Sequence, residues 1–156
     1  MTDIRFADKN DMEELMRIRL EMLREVNSLP EDHVFSDELV EASREYFESG
    51  DGATVLAFED GHAVACASLS FIEVMPTYDH PTGKRAHLMN VYTAPSHRRQ
   101  GLARKMVLML TALALSRGVT EISLDSTESG RAFYESLRFG ANNAAMNLIL
   151  RTPDHN

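Results

Sequence analysis

Apolar residues recur at helical spacing across residues 10–27, where Met12, Leu15, Ile18, Met22, Leu23 and Val26 share one side of a 3.6-residue repeat. Asn10 followed by Glu13 resembles a capping box, and Pro30 blocks continuation. A second helix is predicted over residues 36–49, with Asp37 and Glu38 at its positive end, Leu39, Val40, Tyr46 and Phe47 on one side, and Gly50 as its stop. The pattern then changes period. Residues 4–6 and 54–58 read as strands, residues 59–62 as a turn, and residues 63–74 as a long strand closing a hairpin. Residues 75–84 hold Pro76, Asp79, Pro81 and Gly83 and read as a loop. Residues 86–93 form the next strand, ended by Pro95.

The helical period is strongest over residues 101–117, with Leu102, Met106, Met109, Leu110 and Leu113 aligned and Gly118 as the stop. A strand over 121–125, a helix over 127–137 and a last strand over 145–151 complete the pattern. The order is β-α-α-β-β-β-α-β-α-β. A meander of strands followed by βαβ predicts an α/β (α+β) protein with a mixed sheet and helices on both faces. No repeat or linker divides residues 1–156, so one domain is expected.

Composition narrows the function classes. Sixteen Lys and Arg against 24 Asp and Glu leave a net charge of −8. A surface of that sign repels phosphate backbones, so nucleic acid is not an expected partner. The single cysteine, Cys66, has no partner in the chain, which suits a reducing compartment. No apolar run is long enough to span a bilayer, so no membrane partner and a cytoplasmic location are expected. The histidines at 33, 62, 80, 87, 97 and 155 show no metal-ligand spacing, and no metal is expected.

Against this acidic background, Arg98, Arg99, Arg104 and Lys105 cluster where the fourth strand hands over to the 101–117 helix. Cations belong at a helix C-terminus, and here they crowd the positive end at a cost of about 0.3–1 kcal/mol each. A polyanion at that end resolves the conflict: first-turn N–H groups hydrogen-bond it and the arginines neutralise it. Gly101 and Ala103 leave room for a diphosphate to approach the backbone. Other phosphate motifs fail. Tyr78 stands where a P-loop before Gly83-Lys84 needs glycine, and no Gly-x-Gly-x-x-Gly occurs.

Arg98-Arg99-Gln100-Gly101-Leu102-Ala103 resembles the Arg/Gln-x-x-Gly-x-Gly/Ala acyl-CoA signature of the GNAT (Gcn5-related N-acetyltransferase) superfamily, and the element order resembles the GNAT order over nearly the whole chain. The resemblance implies a mostly antiparallel twisted sheet of about six to seven strands and acetyl-CoA as co-substrate. It implies that the backbone of Val91, Tyr92 and Thr93 pairs with the pantetheine arm. Arg98, Arg99, Gln100, Gly101, Leu102, Ala103 and Arg104 would hold the pyrophosphate. It further implies that the strands ending near Thr93 and Asp125 splay apart around the thioester. The stretch from Thr127 to Gly140 resembles the family's tyrosine-bearing helix. Tyr134 matches the tyrosine placed beside the CoA sulfur, where it protonates the leaving thiolate; Thr127 and Arg131 join the cofactor-binding set. Arg138 replaces the usual glycine at the helix stop, and Thr127 stands where many members have asparagine.

The implied reaction is direct acetyl transfer to a primary amine of a small molecule or peptide. A protonated amine cannot attack, so a base or water chain is needed, and Glu73, Asp79, His80 and His87 are candidates with Glu73 first. The acidic balance favours a cationic acceptor. A homodimer is compatible with the resemblance. The rival reading is a non-catalytic acyl-CoA sensor on the same fold.

Overall fold

The computed structural model describes residues 2–151 of the 156. Its contacts divide the chain into two compact units, Met1–Asp125 and Ser126–Asn156.

The first unit carries five strands, β1 (Asp3–Phe6), β2 (Gly52–Glu59), β3 (His62–Glu73), β4 (Lys84–Thr93) and β5 (Glu121–Ser123), and three helices, α1 (Met12–Val26), α2 (Asp37–Ser49) and α3 (Leu102–Ser116). The strands lie in one sheet in the order β1-β2-β3-β4-β5. All neighbours are antiparallel except β4 and β5, which are parallel because α3 is a crossover between them.

Consecutive residues Val55, Leu56 and Ala57 of β2, and Ala65 through Leu69 of β3, are all buried. Successive strand residues point to opposite faces, so both faces of the sheet are covered here. Leu15, Ile18 and Met22 of α1 pack with Leu56, Cys66 and Tyr92 on one face. The alternate residues serve α3, whose buried side is Leu102, Met106, Val107, Leu110 and Ala114.

The cap of α1 differs from the expected Asn10–Glu13 pair. One 3₁₀ turn, Lys9–Asp11, precedes the helix, and its capping box is Asp8 with Asp11: Asp8 accepts from the Asn10 amide at 2.8 Å and Asp11 from the Asp8 amide at 2.8 Å. Arg5 on β1 selects this register by a two-pronged bond to the Asp11 carboxylate, at 2.7 and 2.9 Å. That bond holds the Asp11 carboxyl below its ordinary range.

Glu14 ties α1 to the β2–β3 hairpin. Its carboxylate accepts from Arg17 at 2.7 Å, from the Ala63 amide at 2.9 Å, and lies 3.1 Å from His62 Nδ1. Burial alone would raise its pKa, but the bonds from Arg17, Ala63 and His62 outweigh it and bring the value from 4.5 to about 2. A depressed carboxylate stabilises the fold above its unfolded pKa and loses that contribution as pH falls through the folded one. Glu14 therefore contributes about 3 kcal/mol near neutrality, lost between pH 4.5 and about 2. Urea unfolding of wild type and Glu14→Gln across this window should show their difference shrinking with acid. A constant difference would contradict the coupling.

In the second unit, α4 (Arg131–Ser136) is shorter than the helix expected over 127–137. Its end has a defined form. The Phe139 amide donates to the Tyr134 carbonyl at 3.0 Å and the Arg138 amide to Glu135 at 2.9 Å, with Arg138 at φ +73°. This is a Schellman stop, and the Tyr134 and Phe139 rings, 5.8 Å apart and edge to face, supply its apolar contact. Arginine in a left-handed site is strained. Arg138→Gly should raise stability by roughly 1 kcal/mol, read as a higher midpoint in chemical denaturation. No gain, or a loss, would mean that the arginine side chain compensates for the strain.

The strand expected over residues 145–151 does not form, and among the described residues the sheet has five strands rather than six or seven. Met146, Leu148, Ile149 and Leu150 are exposed and lie in no ladder. β-forming residues become a strand only where a neighbour supplies hydrogen bonds and a face to pack on. No helix among the described residues is long and apolar enough to cross a membrane.

Candidate active site

β5 pairs with β4 only from Arg85↔Glu121 to His87↔Ser123. β5 ends at Ser123, so residues 88–93 leave the β4 edge without a partner strand in this unit. Val91, Tyr92 and Thr93 lie on this open edge. β3 on the other side is paired through a bulge: Ser68 faces Met89, Cys66 faces Tyr92, and Asn90 takes φ +58°. An interior strand edge with free N–H and C=O groups can accept another extended chain by the same bonds that build a sheet.

The chain leaves β4 through a 3₁₀ turn, Pro95–His97, and enters α3. His97 Nε2 pairs with the Glu59 carboxylate, which ties this turn to the end of β2. Arg99 and Gly101 are left-handed, at φ +62° and +77°, and Gly101 is the N-cap residue of α3. A Cβ on Gly101 would meet nothing within 4 Å, so glycine is needed there for its backbone angle rather than for space.

α3 has no side-chain cap and no acidic residue in its first turn, whereas Ser36 caps α2 by accepting from the Leu39 amide at 3.2 Å. The amides of Arg99, Gln100, Gly101, Leu102, Ala103 and Arg104 find no acceptor among the described residues; the first to bond back is Lys105, to the Gly101 carbonyl at 3.2 Å. Arg99, Arg104 and Lys105 are exposed and have no ion-pair partner among the described residues. Six open amides and three cations without ion-pair partners among the described residues thus gather at the left-handed entry to α3 and its first turn, a donor set suited to an oxyanion.

Arg98 behaves otherwise. Its Nε donates to the Thr93 carbonyl at 2.8 Å, its Nη2 to Glu25 at 2.6 Å, and its guanidinium lies over the Tyr92 ring. Its charge is spent inside the protein, stapling the turn to α1 and to the end of β4. Burial foremost, with Glu21 and Glu25 adding, pushes the Tyr92 phenol up to about 12, so it is neutral at physiological pH.

Glu73 is not part of this assembly. It pairs with Lys84 at the far end of the β3–β4 ladder, seven residues from Val91 and so roughly 20 Å away along the strand. That separation removes it as a base for chemistry at Val91. His87 lies closer on β4. Its Nδ1 is 2.8 Å from the Ser123 hydroxyl and its Nε2 is 3.7 Å from Asp125. His80 and Arg85 converge on Glu121 instead, at 3.3 and 3.1 Å, and His80 also meets the Thr120 hydroxyl at 2.8 Å, which pins the 75–83 loop to β5. Asp79, in that loop, is exposed and makes no hydrogen bond or ion pair among the described residues. Cys66 is fully buried, and burial pushes its thiol up to about 12, so it stays protonated and packed in the core.

In the second unit, the Thr127 hydroxyl accepts from the Gly130 amide at 3.2 Å, so it caps the turn before α4. Arg131 Nε donates to Glu135 at 2.9 Å on the helix surface. Tyr134 is half-buried between Phe133 and Phe139, and burial raises its pKa.

Two residues escaped the sequence reading, Asn90 and Arg19. Asparagine in mid-strand is a bulge signal. Arg19 sits in α1 between Ile18 and Leu20 and carried none.

The profile of the Acetyltransferase (GNAT) family matches residues 19–140. The chain belongs to that family. A predicted acetyltransferase of Clostridium acetobutylicum, crystallised with acetyl-CoA, is 27% identical, with a TM-score of 0.83 over 96% of this chain and 97% of its own. Glucosamine 6-phosphate N-acetyltransferase of Trypanosoma brucei brucei is 32% identical over 90 residues, 58% of this chain; the chain spans 59% of that relative's length. Glucosamine-6-phosphate N-acetyltransferase of Arabidopsis thaliana, 18% identical with a TM-score of 0.71 over 97% of this chain and 99% of its own, shares the fold.

Proposed function

We propose that the protein is an acetyl-CoA-dependent N-acetyltransferase acting on the primary amine of a small molecule. The observation that carries this reading is the turn at Arg99–Arg104, with its six open amides and unpaired cations, directly after an unpaired strand edge. The amides take the pyrophosphate, Arg99, Arg104 and Lys105 offset its charge, and the edge at Val91–Thr93 takes the amides of the pantetheine arm. The family membership and the acetyl-CoA held by the Clostridium relative support the cofactor. The name of the trypanosome relative supports a small-molecule amine over a peptide.

The thioester carbonyl then lies at the β4 bulge, where a backbone N–H beside Asn90 stabilises the developing oxyanion. The amine nitrogen bonds to the carbonyl carbon, the C–S bond breaks, and the sulfur leaves with the electron pair. Tyr134 is assigned the proton that makes it a thiol on its match to the family's tyrosine alone. The ammonium protons leave through water, with His87 as the relay that Ser123 and Asp125 orient.

A thiol-release assay with acetyl-CoA against a panel of amines tests the reading. It predicts acceptor-dependent release of free thiol and an acetylated amine by mass. Coenzyme A binding without turnover on any amine would favour the sensor.

A further inference from the structure

Arg19 is a cation with an unfilled role. On the same helix Arg17 pairs with Glu14 at 2.7 Å, but Arg19 has no carboxylate within ion-pair distance among the described residues. Among the described residues its one side-chain bond is from Nη1 to Asn90 Oδ1, at 3.1 Å. Burial pushes its pKa down, opposed only by the Cys66 thiol and by no carboxylate. Its other N–H groups are not sealed in, since Arg85 Nε is the one buried side-chain nitrogen or oxygen without a partner among the described residues.

Its position is built. Asn90 is buried and left-handed, its Nδ2 donates to the Ser68 hydroxyl at 3.1 Å, and Ser68 meets the Thr54 hydroxyl at 2.7 Å. The Cys66 thiol donates to the Asn90 carbonyl at 3.1 Å. Three strands thus hold one amide oxygen that aims the guanidinium of α1. A half-buried guanidinium with an open fork and no counter-ion is suited to a planar or tetrahedral oxyanion. The next residue after Asn90 is Val91, where the proposed thioester carbonyl sits.

We infer that Arg19 is a specificity-determining residue that receives an oxyanion of the acceptor, so the substrate is a compact primary amine carrying a phosphate or carboxylate. This rests on the acetyltransferase reading and names the charge class of its acceptor. It also reverses the cationic acceptor that net charge favours: the −8 is a sum dominated by residues 1–60, which hold 17 of the 24 acidic residues, whereas the group that Arg19 itself meets at the bulge is the neutral Asn90 amide.

Matched acceptors test it: glucosamine 6-phosphate against glucosamine, and 4-aminobutyrate against butylamine, with wild type, Arg19→Gln and Arg19→Lys. In at least one pair, wild type should favour the anionic member by roughly 100-fold in kcat/KM, the factor that one two-pronged charge-assisted contact supports. Arg19→Gln should bring that ratio near unity, with the loss on the anionic member, and Arg19→Lys should restore part of it. Equal losses on both members would show that Arg19 only props Asn90, and a preference for the uncharged member of both pairs would overturn the inference. Calorimetric titration of the four amines into CoA-saturated protein separates the two readings. Arg19-dependent binding of an anionic amine without turnover would keep the anion site and sink the transferase. Turnover of uncharged amines alone would do the reverse, and an absence of both binding and turnover for the anionic members would overturn the inference outright.

Discussion

Replacing Gly101 with valine should weaken coenzyme A binding by at least about 100-fold and leave the protein folded. Gly101 sits at φ +77° with open space around its Cβ position, so valine meets no clash and acts only on the backbone. A β-branched residue is strained there by roughly 1–2 kcal/mol, and the turn relieves this by rotating out of the left-handed region. Rotation swings the amides around residue 101 away from a common centre. Each charge-assisted bond lost costs about 1.5–3 kcal/mol, and two suffice for the predicted factor. Gly61→Val is the control. Gly61 has φ +80° and equally open surroundings, but it lies in the β2–β3 turn. It should lose similar stability with coenzyme A affinity intact. Equal affinity losses in both variants would show that general destabilisation, not the turn, is being read.

Tyr134→Phe should lower kcat by roughly 100-fold or more with little change in coenzyme A affinity, the range expected for loss of a general acid. The hydroxyl is not needed for the Schellman contact with Phe139, which the phenylalanine ring retains. Burial raises the Tyr134 pKa above its ordinary value near 10, so the acid form persists across neutral and mildly alkaline pH. The rate should therefore show no alkaline loss from this group below pH of about 10. A thioester with a more acidic leaving thiol needs less help and should narrow the gap between wild type and variant. Equal rates for both proteins on acetyl-CoA would remove Tyr134 from the chemistry.

The three long helices were legible because burial on one side imposes a 3.6 period, and Ser36, Gly50 and Gly118 mark ends by local hydrogen bonding and φ. The Arg98–Gly101 turn was legible for the opposite reason: its charges contradict the helix dipole. What stayed hidden depends on distant residues. Arg98 looked like a phosphate ligand, but its partner Glu25 lies 73 positions away. Glu73 looked near the site until register placed it opposite Lys84, because distance along a sheet is set by pairing and not by composition. Residues 145–151 had strand propensity, and propensity does not provide a neighbour. Arg19 became visible only when the bulge at Asn90 set its direction.

The central claim is that the amides and cations of the Arg99–Arg104 turn are a diphosphate receptor. Isothermal titration of coenzyme A, dephospho-coenzyme A and pantetheine into the protein tests it most directly, since only pantetheine lacks the diphosphate. Dephospho-coenzyme A should bind within about tenfold of coenzyme A, and pantetheine at least about 100-fold more weakly, the difference falling as salt is raised. Pantetheine binding as tightly as coenzyme A, or no heat with any of the three, would contradict it.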